Sequence, residues 1–277
     1  MKRLTVLDLQ KKKADNEKIV MVTAYDYTMA RLVDKAGVDM VLVGDSLGMV
    51  VQGHEDTLPV TVDEMAYHCR CVSRGLQRAH LVADLPFMSY QMSAEQALKT
   101  GAKMMQRGRA QSVKLEGGER SAEAIRRLVE AGVPVVGHVG LTPQSVHAMG
   151  GFKVQGRTDE GADAVMKDAL AVVDAGAFCV VVEGVPAGLA SELSAAVSVP
   201  TIGIGAGPSM DGQVLVCNDL LGMDLSFRPK FVKRYAQLQD TIIEAVGTYA
   251  SEVRAGDFPG PEHCFTRKGP RRITKVY

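Results

Sequence analysis

Eight short runs of apolar, largely β-branched residues recur along the chain: Ile19 to Ala24, Met40 to Gly44, Leu81 to Asp84, Ser112 to Glu116, Val133 to His138, Phe178 to Glu183, Val199 to Ile204 and Gln213 to Cys217. Runs that stay hydrophobic at successive positions suit strands buried on both faces, as in a parallel sheet. Segments with helical spacing lie between them, among them Tyr27 to Ala36, Ala94 to Arg107, Ala122 to Ala131, Asp163 to Ala175 and Leu189 to Ala195. Several of these end alike, with Gly37, Gly132 or Gly176 just past the last turn. Glycine there takes the left-handed conformation that stops a helix before the next strand. Eight β-α units with right-handed crossovers close most simply into an α/β fold of the (β/α)8 TIM barrel type. The rival, an open doubly wound sheet, would want a glycine fingerprint after its first strand, and Thr23-Ala-Tyr-Asp-Tyr27 has none.

Additional helices are expected at both ends of the barrel. Phe231, Tyr235, Leu238, Ile242, Ile243 and Val246 suggest one long closing helix after the last strand. The single barrel domain is expected to span residues 1–265, with 266–277 a mobile basic tail. In 277 residues, 46% of them hydrophobic, there is enough apolar material for one large core. Lys and Arg total 32 and so do Asp and Glu, so no net field attracts nucleic acid or anionic lipid. Neither is expected as a partner. The five cysteines form no C-x-x-C pair, and Cys179 and Cys217 sit inside apolar runs, which suits a reducing cytoplasm. Leu4 to Leu7 is too short for a secretory core, and Ala169 to Val182 is too short, and broken by Asp174, to span a bilayer.

The chemistry stands where the strands end. Strand two runs into Gly44-Asp45-Ser46, strand three ends at Asp84, strand four at Lys114-Leu-Glu116, strand five at His138 and strand six at Glu183. In a barrel these ends ring one mouth, so residues distant in sequence converge. An Asp or Ser after a strand is also the ordinary N-cap of the next helix, so Asp45 and Ser46 taken singly have two readings. Lys114 and Glu116 share one face of their strand by parity, and Val113 and Leu115 face the helices. A cation among carboxylates avoids an unpaired charge in a partly desolvated mouth, although a purely structural salt bridge would read the same. Asp45, Asp84 and Glu116 offer hard oxygen ligands without the Cys and His that zinc prefers, which suits magnesium. Glu183 is the best remaining candidate base. His138 is either a partner of these groups and a proton relay or a satisfied core histidine. Gly203-Ile-Gly-Ala-Gly207 is either a phosphate cradle or a compact turn, and Gly150 to Arg157 either a hinged cover over the mouth or a fixed surface loop.

Six ordered motifs carry a resemblance: Val43-Gly-Asp-Ser-Leu-Gly48, Asp84-Leu-Pro-Phe87, Val113-Lys-Leu-Glu-Gly117, Gly137-His-Val-Gly-Leu-Thr-Pro143, Gly150-Gly-Phe-Lys-Val-Gln-Gly-Arg157 and Thr201-Ile-Gly-Ile-Gly-Ala-Gly207. Together they resemble the ketopantoate hydroxymethyltransferase family, of the phosphoenolpyruvate mutase and isocitrate lyase superfamily, from about Thr5 to Phe265. The resemblance implies transfer of a one-carbon unit from 5,10-methylenetetrahydrofolate to 3-methyl-2-oxobutanoate. The product would be 2-dehydropantoate, for pantothenate synthesis, formed through a magnesium-stabilised enolate. It assigns one Mg2+ per subunit to Asp45, Asp84 and Glu116, and the keto acid to Asp45, Ser46, Asp84 and Lys114. Glu183 would accept the proton, and His138 would lie near the site in a role left open. A cytoplasmic homodecamer of two stacked pentamers is implied as well. Pro208-Ser-Met210 and the residues after Phe265 depart from the family pattern, away from these positions. Two other readings stay open on the residues alone: a Schiff-base aldolase with Lys114 as nucleophile, and a non-catalytic oligomeric scaffold whose polar mouth is a stability network.

Overall fold

The structure, a computed structural model, describes residues 2–224, 229–266 and 269. Most of the basic tail expected over 266–277 therefore lies outside the described residues. Eight strands pair in parallel and in chain order: β1 Ile19–Thr23, β2 Met40–Val43, β3 His80–Asp84, β4 Ser112–Glu116, β5 Val135–Gly140, β6 Cys179–Glu183, β7 Thr201–Ile204 and β8 Gly212–Leu215. β8 returns to pair with β1, so the sheet is a closed barrel, as the strand pattern predicts. The helices are α1 Val6–Ala14, α2 Tyr27–Lys35, α3 Leu47–Val50, α4 Val62–Gly75, α5 Ala94–Gln106, α6 Ala122–Glu130, α7 Asp159–Asp174, α8 Ala187–Ala196, α9 Cys217–Leu221 and α10 Leu238–Ala255.

Alternation along each strand sorts the core into two. Met21, Met40, Leu42, Val82, Val136, Val181, Ile202 and Val214 fill the barrel interior. Val41, Val43, Leu81, Ala83, Val113, Leu115, Val180 and Val182 face outward into the layer shared with the helices. The interior is thus a packed column of side chains, with a cluster of charged groups at its upper end and a buried His80–Ser112 pair near its foot. α1 closes the lower end by setting Leu9 into the interior cluster. Gly37, Gly132 and Gly176 have φ of 89°, 82° and 101°, the left-handed stops expected of them. Helix starts are capped from the sequence: Asp26 accepts from the Met29 amide, Ser93 from Gln96 and Thr158 from Gly161.

Three features differ from the sequence reading. α4 is not among the expected helices, although Thr61 and Glu64 form a capping box at its start. The β-α alternation breaks between β7 and β8, where residues 205–211 return along the barrel without a helix. The last helix begins at Leu238 rather than near Phe231, and it closes nothing on its own barrel, because none of its residues is buried. Among the described residues no helix is long and apolar enough to cross a membrane.

Candidate active site

Register decides which polar side chains become neighbours at the upper rim. Asp84 pairs with Lys114 across β3 and β4, and Glu116 pairs with His138 across β4 and β5. Gly140 stands opposite Glu183, and its positive φ of 88° lets the backbone pass where a Cβ would lie 2.3 Å from the Glu183 carbonyl oxygen. All the residues singled out at the strand ends converge here, and Lys114 and Glu116 share the interior face as parity requires. Asp45, Asp84, Lys114, Glu116 and His138 are buried, whereas the Glu183 side chain keeps 16% of its surface open.

Lys114 Nζ lies 2.9 Å from Asp84 Oδ1, yet that oxygen is buried with no hydrogen-bond donor in line. Asp84 Oδ2 accepts from the Asp45 amide at 3.0 Å. Lys114 also reaches His138 Nδ1 at 3.3 Å. In the neutral ring this places the proton on Nε2, which stands 3.2 Å from Glu183 Oε2. In the imidazolium, Nδ1 faces Glu116 Oε1 at 3.5 Å. His138 is therefore no isolated core histidine; it stands between Lys114 and Glu116 on one side and Glu183 on the other, although Nε2 makes no in-line hydrogen bond.

Ser46 heads α3 but makes no capping bond, and its hydroxyl instead meets the Tyr25 hydroxyl at 2.8 Å. Asp45 does not cap either, because its Oδ2 accepts from Gln144 Nε2 at 2.7 Å. The helix-cap reading fails for both. Gly44, just before them, has no room for a side chain, since a Cβ would sit 2.8 Å from Ser46 Oγ and 3.4 Å from Asp84 Oδ2.

Crowding of charge perturbs the titrating groups. Burial, with Asp84 and Glu116 adding repulsion, pushes the Asp45 carboxyl up to about 8. Burial also raises Asp84 against the pull of Lys114. Burial opposes the charged form of Lys114, but Asp84, Glu116 and Asp45 outweigh it and hold the ammonium above its ordinary range. Burial and Lys114 likewise oppose the imidazolium of His138, yet Glu116 and Glu183 leave it raised to about 9. Such a cluster is short of positive charge.

Asp45 Oδ1 bears no protein hydrogen bond among the described residues, and Asp84 Oδ1 has no in-line donor. Two such oxygens form a donor pair of the kind a hard divalent cation takes, with water or substrate completing its shell. No group of three or more His, Cys, Asp or Glu side chains among the described residues is spaced to hold a metal ion. Glu116 stands beside the two aspartates, with Oε2 accepting from the Gln144 amide at 3.0 Å. Two cavities lie outside this tight cluster. One of about 310 Å³ is lined by Gly117, Arg120, Thr142, Met149 and Asp168, and one of about 590 Å³ lies against Val20, Gly205, Met210 and Phe231.

A sequence profile described as ketopantoate hydroxymethyltransferase matches residues 3–261. The chain belongs to the ketopantoate hydroxymethyltransferase family. Among relatives bearing the name 3-methyl-2-oxobutanoate hydroxymethyltransferase, one from Syntrophotalea carbinolica is 58% identical over 96% of this chain and 99% of its own. Another, from Geobacter sulfurreducens, is 52% identical over 95% and 98%. Among solved structures, phosphoenolpyruvate phosphomutase from Streptomyces platensis subsp. rosaceus superposes with a TM-score of 0.62 at 13% identity, covering 94% of this chain and 93% of its own. A 2,3-dimethylmalate lyase of the PEP mutase/isocitrate lyase superfamily gives 0.58 at 16% identity over 94% and 93%. At such identities the likeness concerns the barrel alone. Within the ketopantoate hydroxymethyltransferase fold, Tyr25, Tyr90 and Gln144 are the rim residues the strand-end pattern does not find. All three are uncharged, and Tyr90 and Gln144 sit on loops; the nearest signal is Thr142-Pro143 just before Gln144.

Proposed function

We propose that this chain transfers a hydroxymethyl unit from 5,10-methylenetetrahydrofolate to 3-methyl-2-oxobutanoate, giving 2-dehydropantoate for pantothenate synthesis. The observation that carries the reading is the convergence of Asp45, Asp84, Lys114, Glu116, His138 and Glu183 on one barrel rim, in a chain of this family. The donor set fits one magnesium ion per subunit. Asp45 Oδ1, with no protein hydrogen bond among the described residues, and Asp84 Oδ1, met by Lys114 at 2.9 Å without an in-line bond, lie in a cluster short of positive charge and suit an ion that takes one or two carboxylates and fills its shell with water or substrate. Asp45 and Asp84 would hold it, with Glu116 beside them, and it would supply Lewis-acid polarisation of the keto acid.

The side chains do the rest. Lys114 offsets the charge of the incoming carboxylate while paired with Asp84. Ser46, its hydroxyl set by Tyr25, orients that carboxylate. Glu183 is the most open carboxylate of the set and takes the C3 proton. His138, 3.2 Å away and more deeply buried, steadies the Glu183 carboxylate as an anion. Water would release the methylene carbon from the folate as formaldehyde, both C–N bonds breaking and tetrahydrofolate leaving; the enolate carbon then bonds to that carbonyl carbon, whose oxygen takes up a proton and becomes the new hydroxyl. A Schiff-base role for Lys114 is disfavoured, because an imine-forming lysine needs a depressed pKa and the three acids hold this one raised. A cytoplasmic homodecamer of two stacked pentamers belongs to the same proposal, and the exposed apolar side chains of α10 provide surface for such assembly.

The test is exchange of the C3 hydrogen of 3-methyl-2-oxobutanoate with deuterium oxide, read by proton NMR with magnesium present and folate absent. Glu183→Gln should slow exchange by about 100-fold or more, while calorimetry still detects keto-acid binding. Exchange at the wild-type rate would remove Glu183 from the base role. A wild-type protein that binds neither magnesium nor keto acid would overturn the whole reading.

A further inference from the structure

Gln144 belongs to none of the strands, yet it is joined to more of the rim than any other uncharged residue there. It lies in the short turn Pro143–Ser145 after β5 and is buried. Its carboxamide is oriented from behind: Oε1 accepts from the Tyr90 hydroxyl at 2.8 Å and from Gln91 Nε2 at 3.0 Å. With the oxygen so engaged, Nε2 must face forward, and it donates to Asp45 Oδ2 at 2.7 Å and to the Leu85 carbonyl at 3.0 Å. The main-chain amide of the same residue donates to Glu116 Oε2 at 3.0 Å. Tyr90 is fixed in turn, since its oxygen accepts from the Glu116 amide at 3.0 Å.

One residue therefore grips two of the acids. The amide ties up Oδ2 of Asp45 and leaves Oδ1 without a protein hydrogen bond among the described residues. A carboxylate held by a single in-plane donor presents one oxygen in one direction, which is what a ligand to a hard cation requires, and such outer partners set both orientation and affinity. An amide turned over would bring its oxygen against Asp45 Oδ2, and Tyr90 with Gln91 prevents that.

We propose that Gln144 is a positioning residue: its side chain, locked by Tyr90, fixes which oxygen of Asp45 faces the divalent cation, and its main chain fixes Glu116 beside it. This rests on the proposal of a cation at Asp45 and Asp84, and the experiment separates the two. Mn2+ is titrated into wild-type protein and into Gln144→Met, and free Mn2+ is followed by electron paramagnetic resonance. Methionine keeps the length of the side chain, and the main-chain bond to Glu116 survives. The variant should bind Mn2+ about tenfold more weakly, with an unchanged far-UV circular dichroism spectrum. The loss in turnover at limiting Mn2+ should be recovered in large part at saturating Mn2+, a recovery that general loss of structure would not give. Tyr90→Phe keeps the ring but removes the donor that orients the amide, and should weaken Mn2+ binding by about threefold, the worth of one modest hydrogen bond. Wild-type affinity in both variants would overturn the role of Gln144 and leave the cation site standing. Absence of Mn2+ binding by the wild-type protein would overturn both.

Discussion

His80 shows how a titrating side chain can be structural in one half of a barrel whose other half is chemical. It is the inward-facing residue at the start of β3, two positions of the same parity below Asp84. Its Nδ1 meets the Leu4 carbonyl at 3.0 Å, its Nε2 meets Ser112 Oγ at 2.9 Å, and its ring packs edge-on against Phe178. Burial, opposed by the bond to Leu4 and aided by Arg3, lowers its pKa from 6.5 to about 4. Between those values the unfolded chain binds a proton that the folded chain refuses, so stability rises with pH across the window and is lost as pH falls from about 6.5 toward 4. The slope is at most about 1.4 kcal/mol per pH unit. Thermal melting measured from pH 7 to pH 4 should fall less steeply in His80→Asn than in the wild type, and parallel curves would exclude this histidine as a source of acid sensitivity. The acids of the rim are legible in the sequence, because a charge closing an apolar run has no place in a core and must face a mouth. Gln144, Tyr90 and Tyr25 are not, since an amide or a phenol on a loop is ordinary until its partners are known. Ser46 is ambiguous for a related reason: cap and site residue share one letter, and only the bond to Tyr25 separates them.

The strands are legible from their continuous apolar runs, the helices only in part. The strands and α6, whose Ala124, Ile125 and Leu128 are buried, stand out. α4 does not, although its buried Met65, Ala66, Cys69, Val72 and Ser73 make a face about as distinct from its polar side as that of α5. The missing helix between β7 and β8 leaves no trace in the sequence, since Gly205 and Gly207 mark a turn and carry no information on the element beyond it. α1 is the informative case. Its single buried residue is Leu9, with no exposed surface, set under the barrel among the interior side chains. Lys13 anchors the helix by reaching Asp211 at 2.8 Å and the Ser194 carbonyl at 3.2 Å. Asp211 also accepts from the amide and hydroxyl of Thr201 at 2.8 Å, so α1 is bolted to the entrance of β7 and β8. Leu9→Ala should leave a cavity at the foot of the barrel and cost about 2–5 kcal/mol in a denaturant titration. Because the reacting groups stand at the other end, C3 exchange by the folded variant should stay near the wild-type rate. Loss of exchange without loss of stability would mean that the lower core transmits to the rim.

The whole molecule leaves one surface unaccounted for. Ile242, Val246, Tyr249 and Val253 succeed one another at helical spacings of four, three and four residues, which draws a single stripe along α10. All are exposed, and Ile243 beside them is 63% exposed. A stripe of this kind is stable in water only when something covers it, and the barrel to which α10 is attached does not. On the same chain Val20 and Phe231 also lie open, beside the groove of about 590 Å³ left where the β7 to β8 connection lacks a helix. Burying an aliphatic side chain of this size is worth about 1.5–3 kcal/mol, so four or five of them supply enough to hold subunits together, and a carboxylate placed in the seam reverses the sign. Ile242→Glu combined with Val246→Glu should therefore shift the species seen by size-exclusion chromatography with light scattering from an assembly toward the 29.7 kDa monomer. The circular dichroism spectrum should stay unchanged, because neither side chain is buried within its own subunit. An unaltered mass in the double variant, or a wild-type protein that already runs as a 29.7 kDa monomer, would show that the stripe holds no subunits together.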